Sequence, residues 1–152
     1  MAASGSERCR RETGSGDGYE LDDDRDRVDL VEVCRFLVEE SYWARDRELA
    51  VQQELVREAA RVVGLYHDGA QAGFCRAARL SPGLFYLADV YVLPADRGRG
   101  LGVDLVREMV EHPPLADAKW LLHTADAHEL YRRFGFGEPA DLLMERPRPG
   151  AA

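Results

Sequence analysis

With 152 residues the chain has the length of one domain, roughly 100–200 residues, and can bury about two-thirds of its unfolded surface without a disulfide or metal. Its formal net charge of −8 argues against a nucleic-acid partner, which needs a basic patch. The same charge leaves room for a small anion at a local site and mildly favours a cationic substrate such as an amine.

In chain order, Met1 to Gly18 is rich in Ser, Gly, Arg and Glu with no hydrophobic period, and reads as a disordered tail, 1–18. It lacks the apolar core of a signal peptide, and no run of about 18 apolar residues follows to span a membrane. A cytoplasmic location is therefore expected. Cys9, Cys34 and Cys75 form no CxxC pair, so neither a zinc site nor a disulfide framework is expected, and Cys34 and Cys75 read as small core residues.

Tyr19 to Leu21 reads as a short strand. Asp29 with Glu32 three residues later has capping-box spacing and opens a helix striped by Leu30, Val33, Cys34, Leu37 and Val38. A second helix is expected over Asp46 to Ala59, with Leu49, Gln53, Val56 and Ala60 along one side. Arg61 to Tyr66, the turn Asp68-Gly69 and Gln71 to Leu80 form a hairpin. After Ser81-Pro82-Gly83 comes the apolar strand Leu84 to Leu93, which Pro94 stops. A helix carrying Val103, Val106, Met109 and Val110 follows. Then come a strand over Lys119 to Thr124, a short helix with Ala127, Leu130, Tyr131 and Phe134, and a last strand near Leu142 to Glu145. The pattern is mixed α/β, with a C-terminal tail over 147–152.

The densest signal lies where the apolar strand meets Arg97-Gly98-Arg99-Gly100-Leu101-Gly102 and the turn opens a helix. Helix N-termini carry unpaired N–H groups and a partial positive charge, so they hold phosphates, and glycine lets the backbone approach an anion closely. A Walker loop would need Gly-Lys-Ser/Thr, whereas Gly102 is followed by Val103 and Asp104. A dinucleotide fingerprint would sit at the first strand of a βαβ unit, which this is not.

The run Arg97 to Gly102, after Val90-Tyr91-Val92-Leu93-Pro94, resembles the Arg/Gln-x-x-Gly-x-Gly/Ala motif of the GNAT superfamily of acyl-CoA-dependent N-acyltransferases. A second block, Ala127-His128-Glu129-Leu130-Tyr131 through Gly135-Phe136, is similar to that family's A-x-x-L-Y-x-x-x-G-F helix. The resemblance covers residues 19–146. It implies a mixed, mostly antiparallel central sheet flanked by helices on both faces, and an N-acetyltransferase that uses acetyl-CoA as co-substrate, without a metal, by direct transfer in a ternary complex. The alternative is a non-catalytic acyl-CoA-binding or regulatory domain.

By that resemblance the amides of Gly98, Arg99, Gly100, Leu101, Gly102 and Val103 hold the CoA pyrophosphate, with Arg97 and Arg99 beside them. Val90 and Val92 pair through their backbone with the pantetheine arm, and the Val92 amide faces the thioester carbonyl. Tyr131 is the candidate general acid, against a core tyrosine packing with Leu130 and Phe134. Asp89, an acid within an apolar strand, is the first candidate base, against a structural carboxylate bonded to an arginine. Asp126 is the second candidate base, although Asp126 with Glu129 has capping-box spacing and reads as an N-cap. His123 and His128 read as solvent-facing or structural. Family members commonly place an Asn before the tyrosine helix, and here Thr124 or Asp126 stands in its place at the pantetheine. Tyr42 and Trp43 are candidates for lining the pocket of a small-molecule amine. A monomer and a homodimer are both compatible with the family.

Overall fold

The computed structural model describes residues 9–14 and 17–150. A six-stranded sheet runs in the order β1 (Arg10–Glu12), β2 (Tyr19–Asp22), β3 (Arg61–His67), β4 (Ala70–Ser81), β5 (Leu84–Val92) and β6 (Lys119–Leu121). Every neighbouring pair is antiparallel except β5 and β6, which are parallel.

Side chains alternate across the central strands, so each strand feeds two cores. Val62, Phe74 and Tyr91 pack beneath α1 (Leu30–Glu40) and α2 (Leu49–Glu58), meeting Val33, Phe36, Leu37 and Val56. Val63, Leu65, Cys75 and Ala77 face the other way, against Leu105, Val106 and Met109 of α3 (Leu101–Val110) and Tyr131 of α4 (His128–Arg132). The sheet is mostly antiparallel with helices on both faces, as the family resemblance implies. Each fully buried Val, Leu or Phe contributes about 1.5–3 kcal/mol, which explains why both faces of β3 and β4 are apolar.

Local signals hold where they rest on capping and turns. Asp29 caps α1, its carboxylate accepting from the Glu32 amide at 3.1 Å. Asp68 and Gly69, both at positive φ, turn β3 into β4. The helical phase of α2 differs from the expected one: it buries Gln52 and Val56, while Gln53 is exposed and Leu49 is 40% exposed. A polar residue takes the inward position because Arg47 donates to its side-chain oxygen at 3.1 Å.

Two boundaries are corrected. Arg10–Glu12, within the expected tail, is a strand on β2. It has no apolar residue and is held by charge: Arg10 on Glu20 at 2.6 Å and Arg11 on Glu108 at 2.9 Å. Hydrophobic periodicity cannot register such a strand. Of the rest of that expectation, 1–8 and 15–16 lie outside the described residues. The strand expected near Leu142 to Glu145 is not formed; Leu142 and Met144 are each 92% exposed. Pro139, Pro147 and Pro149 flank this segment, and proline cannot donate to a ladder. No helix among the described residues is long and apolar enough to cross a membrane.

Candidate active site

The parallel pair β5–β6 is brief: Leu84 opposes Lys119, Phe85 opposes Trp120 and Tyr86 opposes Leu121. Beyond Tyr86, β5 continues to Val92 with no strand partner on that side among the described residues, so the strands part into a fork. The Leu93 amide donates to Ala72 at 2.8 Å, on the β4 side. Alternation along a strand therefore turns the Val92 N–H into the fork, with Val90 on the same edge. The Val92 carbonyl is already taken, accepting from Arg97 Nε at 2.9 Å, which leaves the amide as the group to offer.

Past Val92 the chain makes a tight turn over Pro94–Asp96, tied to β2 where Tyr19 donates to Asp96 at 2.6 Å. Gly98 and Gly100 follow at φ +82° and +76°, a region closed to most side chains. Gly100 is the N-cap of α3 and supplies no side-chain cap. The first bond within the helix runs from the Asp104 amide to the Gly100 carbonyl at 3.1 Å, so the amides of Leu101, Gly102 and Val103 lack a helical partner. Among the described residues, a Cβ at Gly98, Gly100 or Gly102 would meet nothing within 4 Å. Arg97 and Arg99 flank this turn; Arg99 also lies 3.7 Å from Asp17.

On the other side of the fork stands α4. Tyr131 is buried, its ring edge-on to Phe136 with centroids 5.8 Å apart, and burial pushes its phenol well above the ordinary value of 10. It therefore stays protonated under alkaline conditions. Thr124 starts this helix, its hydroxyl accepting from the Ala127 amide at 3.0 Å. The Asp126–Glu129 capping box is not formed: α4 has no side-chain bond at its N-cap, Ala127, and Asp126 is exposed. The helix begins one residue later than that box requires, with Ala127 as its N-cap.

Asp89 sits on a bulge of β5 at φ +54°, where the register with β4 shifts between Phe74 and Arg76. Its carboxylate is 1% exposed and fully engaged: Arg76 at 2.6 Å and Arg47 at 2.7 Å on one oxygen, Trp43 Nε1 at 3.0 Å on the other. Burial pushes its pKa up, but the two guanidiniums outweigh burial and hold it below the ordinary 3.8. A carboxylate so paired is a weak proton acceptor. Its geometry matches a structural carboxylate rather than the candidate base, because its lone pairs already hold two cations and an indole.

Replacing Asp89 with Ala would leave the buried Arg76 and the half-buried Arg47 without their shared counter-charge. The expected cost is about 3–5 kcal/mol, read as a fall in the midpoint of urea unfolding. Acid acts in the same direction. Asp89 and Glu108 both have folded pKa values below their ordinary 3.8 and 4.5, so the unfolded state binds more protons. Their stabilisation is complete above those ordinary values and is lost as pH falls through the lower folded ones.

Trp43 and Tyr42 meet edge to face at 5.0 Å and are 44% and 53% exposed. The Tyr42 hydroxyl accepts from the Ala125 amide at 2.9 Å, fastening the α1–α2 connection to the loop that leads into α4. The β5 edge thus runs directly into the glycine turn, Tyr131 lies in the core cluster that Val90 packs against, and Trp43 is tied to Asp89 of the same strand.

Residues 58–138 match the model of the acetyltransferase (GNAT) domain. A GNAT-family acetyltransferase structure from Xanthomonas campestris pv. campestris is 36% identical, covering 87% of this chain and 94% of that one, with a TM-score of 0.78. The chain belongs to the GNAT acetyltransferase family. Two further structures share the GNAT fold: an acetyltransferase of Brucella melitensis in complex with acetyl-CoA, and an acetyltransferase of Deinococcus radiodurans R1. The first is 22% identical, covering 80% and 84% of the two chains at TM-score 0.66. The second is 20% identical, covering 89% and 92% at TM-score 0.65. No curated protein matches the sequence significantly.

Within this GNAT domain the sequence reading missed Arg47, Arg76 and Tyr86. A signal for Arg76 was present. Like Asp89 it is a charge inside an apolar strand, and the hairpin register sets it opposite Ala88, one residue away. Arg47 carried no such signal, because it comes from a connection whose path only the fold determines.

Proposed function

We propose that this GNAT protein transfers an acetyl group from acetyl-CoA to the amine of a small molecule, by direct attack within a ternary complex. The observation that supports this reading is the fork, an unpaired β5 edge that runs into an uncapped helix start, with Tyr131 in the core cluster that Val90 packs against. The Brucella melitensis relative, solved in complex with acetyl-CoA, supports the choice of donor.

In this reading the pantetheine arm lies along Val90 and Val92 as an added strand. The amides from Gly98 through Val103, with Arg97 and Arg99, hold the pyrophosphate. Thr124 and Asp126 flank the pantetheine where it leaves the fork. The Val92 N–H donates to the thioester oxygen and strengthens its bond as that oxygen gains charge in the tetrahedral intermediate. Tyr131 gives its proton to the departing thiolate. Tyr42 and Trp43 receive the apolar part of the acceptor. Asp89 holds Trp43 and Arg47 in place rather than moving protons.

The test is thiol release from acetyl-CoA over a panel of primary amines (tyramine, spermidine, lysine and an aminoglycoside), with the acetylated product confirmed by mass. Amine-dependent release is expected. Binding of acetyl-CoA with no transfer to any amine would favour the non-catalytic domain instead.

A further inference from the structure

Three side chains from distant parts of the chain form a hydrogen-bonded line at the base of the fork. The Tyr86 hydroxyl lies 2.6 Å from His123 Nδ1, and His123 Nε2 lies 2.8 Å from Glu145 Oε2. Tyr86 stands on β5, His123 lies two residues beyond β6, and Glu145 lies in the C-terminal segment. A carboxylate only accepts, so Nε2 must carry a proton. Neutral imidazole then offers Nδ1 as acceptor, and Tyr86 must be the donor. The direction of the line is thereby fixed, from Tyr86 through His123 toward Glu145.

Its position relates it to the acceptor. Tyr86 is on the last paired rung before β5 and β6 part. It opposes Ala78 as Ala88 opposes Arg76, so it shares the sheet face on which the Asp89–Arg76–Arg47 cluster holds Trp43. Tyr42, beside Trp43, is bonded to Ala125, two residues beyond His123. An acceptor entering past Tyr42 and Trp43 therefore meets the Tyr86 hydroxyl at the fork. The outer end is wet, with His123 and Glu145 side chains 70% and 65% exposed.

Resting on the acetyltransferase reading, we infer that Tyr86 is the group that accepts the proton of the acceptor ammonium, and that His123, positioned by Glu145, carries that proton to solvent. Two protons leave the nitrogen as the N–C bond forms and the C–S bond breaks. The first passes to the Tyr86 oxygen while Tyr86 releases its own to His123 Nδ1, and the imidazolium faces Glu145 before discharging to water. The second leaves the tetrahedral intermediate and replaces the proton that Tyr131 gives the thiolate. Ammonium and thioester become amide, thiol and one released proton. Partial burial pushes the Tyr86 phenol up, so Tyr86 conducts as a neutral hydroxyl. The charged groups facing the line are Glu145 at His123, and Arg76 and Asp89 at Tyr86.

The test uses the full chain, the best acceptor from the amine panel, and the variants His123→Ala and Tyr86→Phe. Both variants should bind acetyl-CoA within about twofold of wild type. Both should lose about 100-fold in kcat/KM for the amine, the scale of general acid–base catalysis. The wild-type kcat/KM should level off below the acceptor's own amine pKa, whereas each variant should keep rising with pH up to it. Added imidazole should restore part of the His123→Ala rate and none of the Tyr86→Phe rate, a pattern that a structural role would not produce. Wild-type transfer with His123→Ala unchanged in rate and pH profile overturns the relay alone, as does a loss in His123→Ala that imidazole fails to rescue. Wild-type protein that fails to bind acetyl-CoA, or acetylates no amine, overturns the transferase reading together with the relay.

Discussion

Tyr131→Phe is expected to lower kcat by about 100-fold or more while acetyl-CoA affinity stays within about twofold, since a positioned general acid contributes about 10²–10⁴-fold. The split between turnover and affinity follows from where the hydroxyl acts. The ring, not the hydroxyl, packs against Phe136 in the core, and phenylalanine keeps the ring. The lost oxygen matters only when sulfur carries negative charge, at the end of the reaction, so substrate binding is untouched. The raised phenol pKa adds a second expectation. Ionisation of Tyr131 should impose no alkaline fall in rate up to pH 10, because the acid form persists through that range. Stopped-flow thiol release from pH 6 to 10 checks both. Equal turnover of wild type and variant at every pH would remove Tyr131 from the acid role.

Gly100→Glu should weaken acetyl-CoA binding by about 100-fold or more, and Gly100→Ala much less. Both substitutions force a side chain into the left-handed region at φ +76°, which costs about 1–2 kcal/mol. Neither meets a neighbour within 4 Å, so no clash adds to that strain. The glutamate alone sets a negative charge at the uncapped start of α3, where the pyrophosphate would lie. Two unit charges about 4 Å apart repel by roughly 4 kcal/mol at an effective dielectric of 20, and each 1.4 kcal/mol is tenfold in affinity. Charge therefore outweighs strain, and comparing the two variants by calorimetry separates them. Equal losses in both would show that the loop's shape, rather than its anion site, governs binding.

The central strands, the main helices and the glycine turn were legible because each rests on a short-range pattern. Apolar runs mark β3 to β5, Asp29 marks the start of α1, and the glycines at Gly98 and Gly100 mark the turn into α3. What escaped the sequence is organised by charge across distance. The β1 strand is ordered by Arg11 reaching Glu108, 97 positions away. The partners of Asp89 are Trp43 and Arg47, 46 and 42 positions earlier, so the residue that looked like a base is a tethered carboxylate. His123 looked isolated because Tyr86 and Glu145 stand 37 and 22 positions from it. The remaining miss is a one-residue boundary, since α4 takes Ala127 rather than Asp126 as its N-cap.

The central claim is that the fork and glycine turn form an acetyl-CoA site, and isothermal titration of the full chain with acetyl-CoA tests it without knowledge of the acceptor. The account predicts saturable binding at one site per chain with micromolar affinity. Absence of binding would contradict it, leaving a GNAT fold whose open strand edge and uncapped helix serve another ligand.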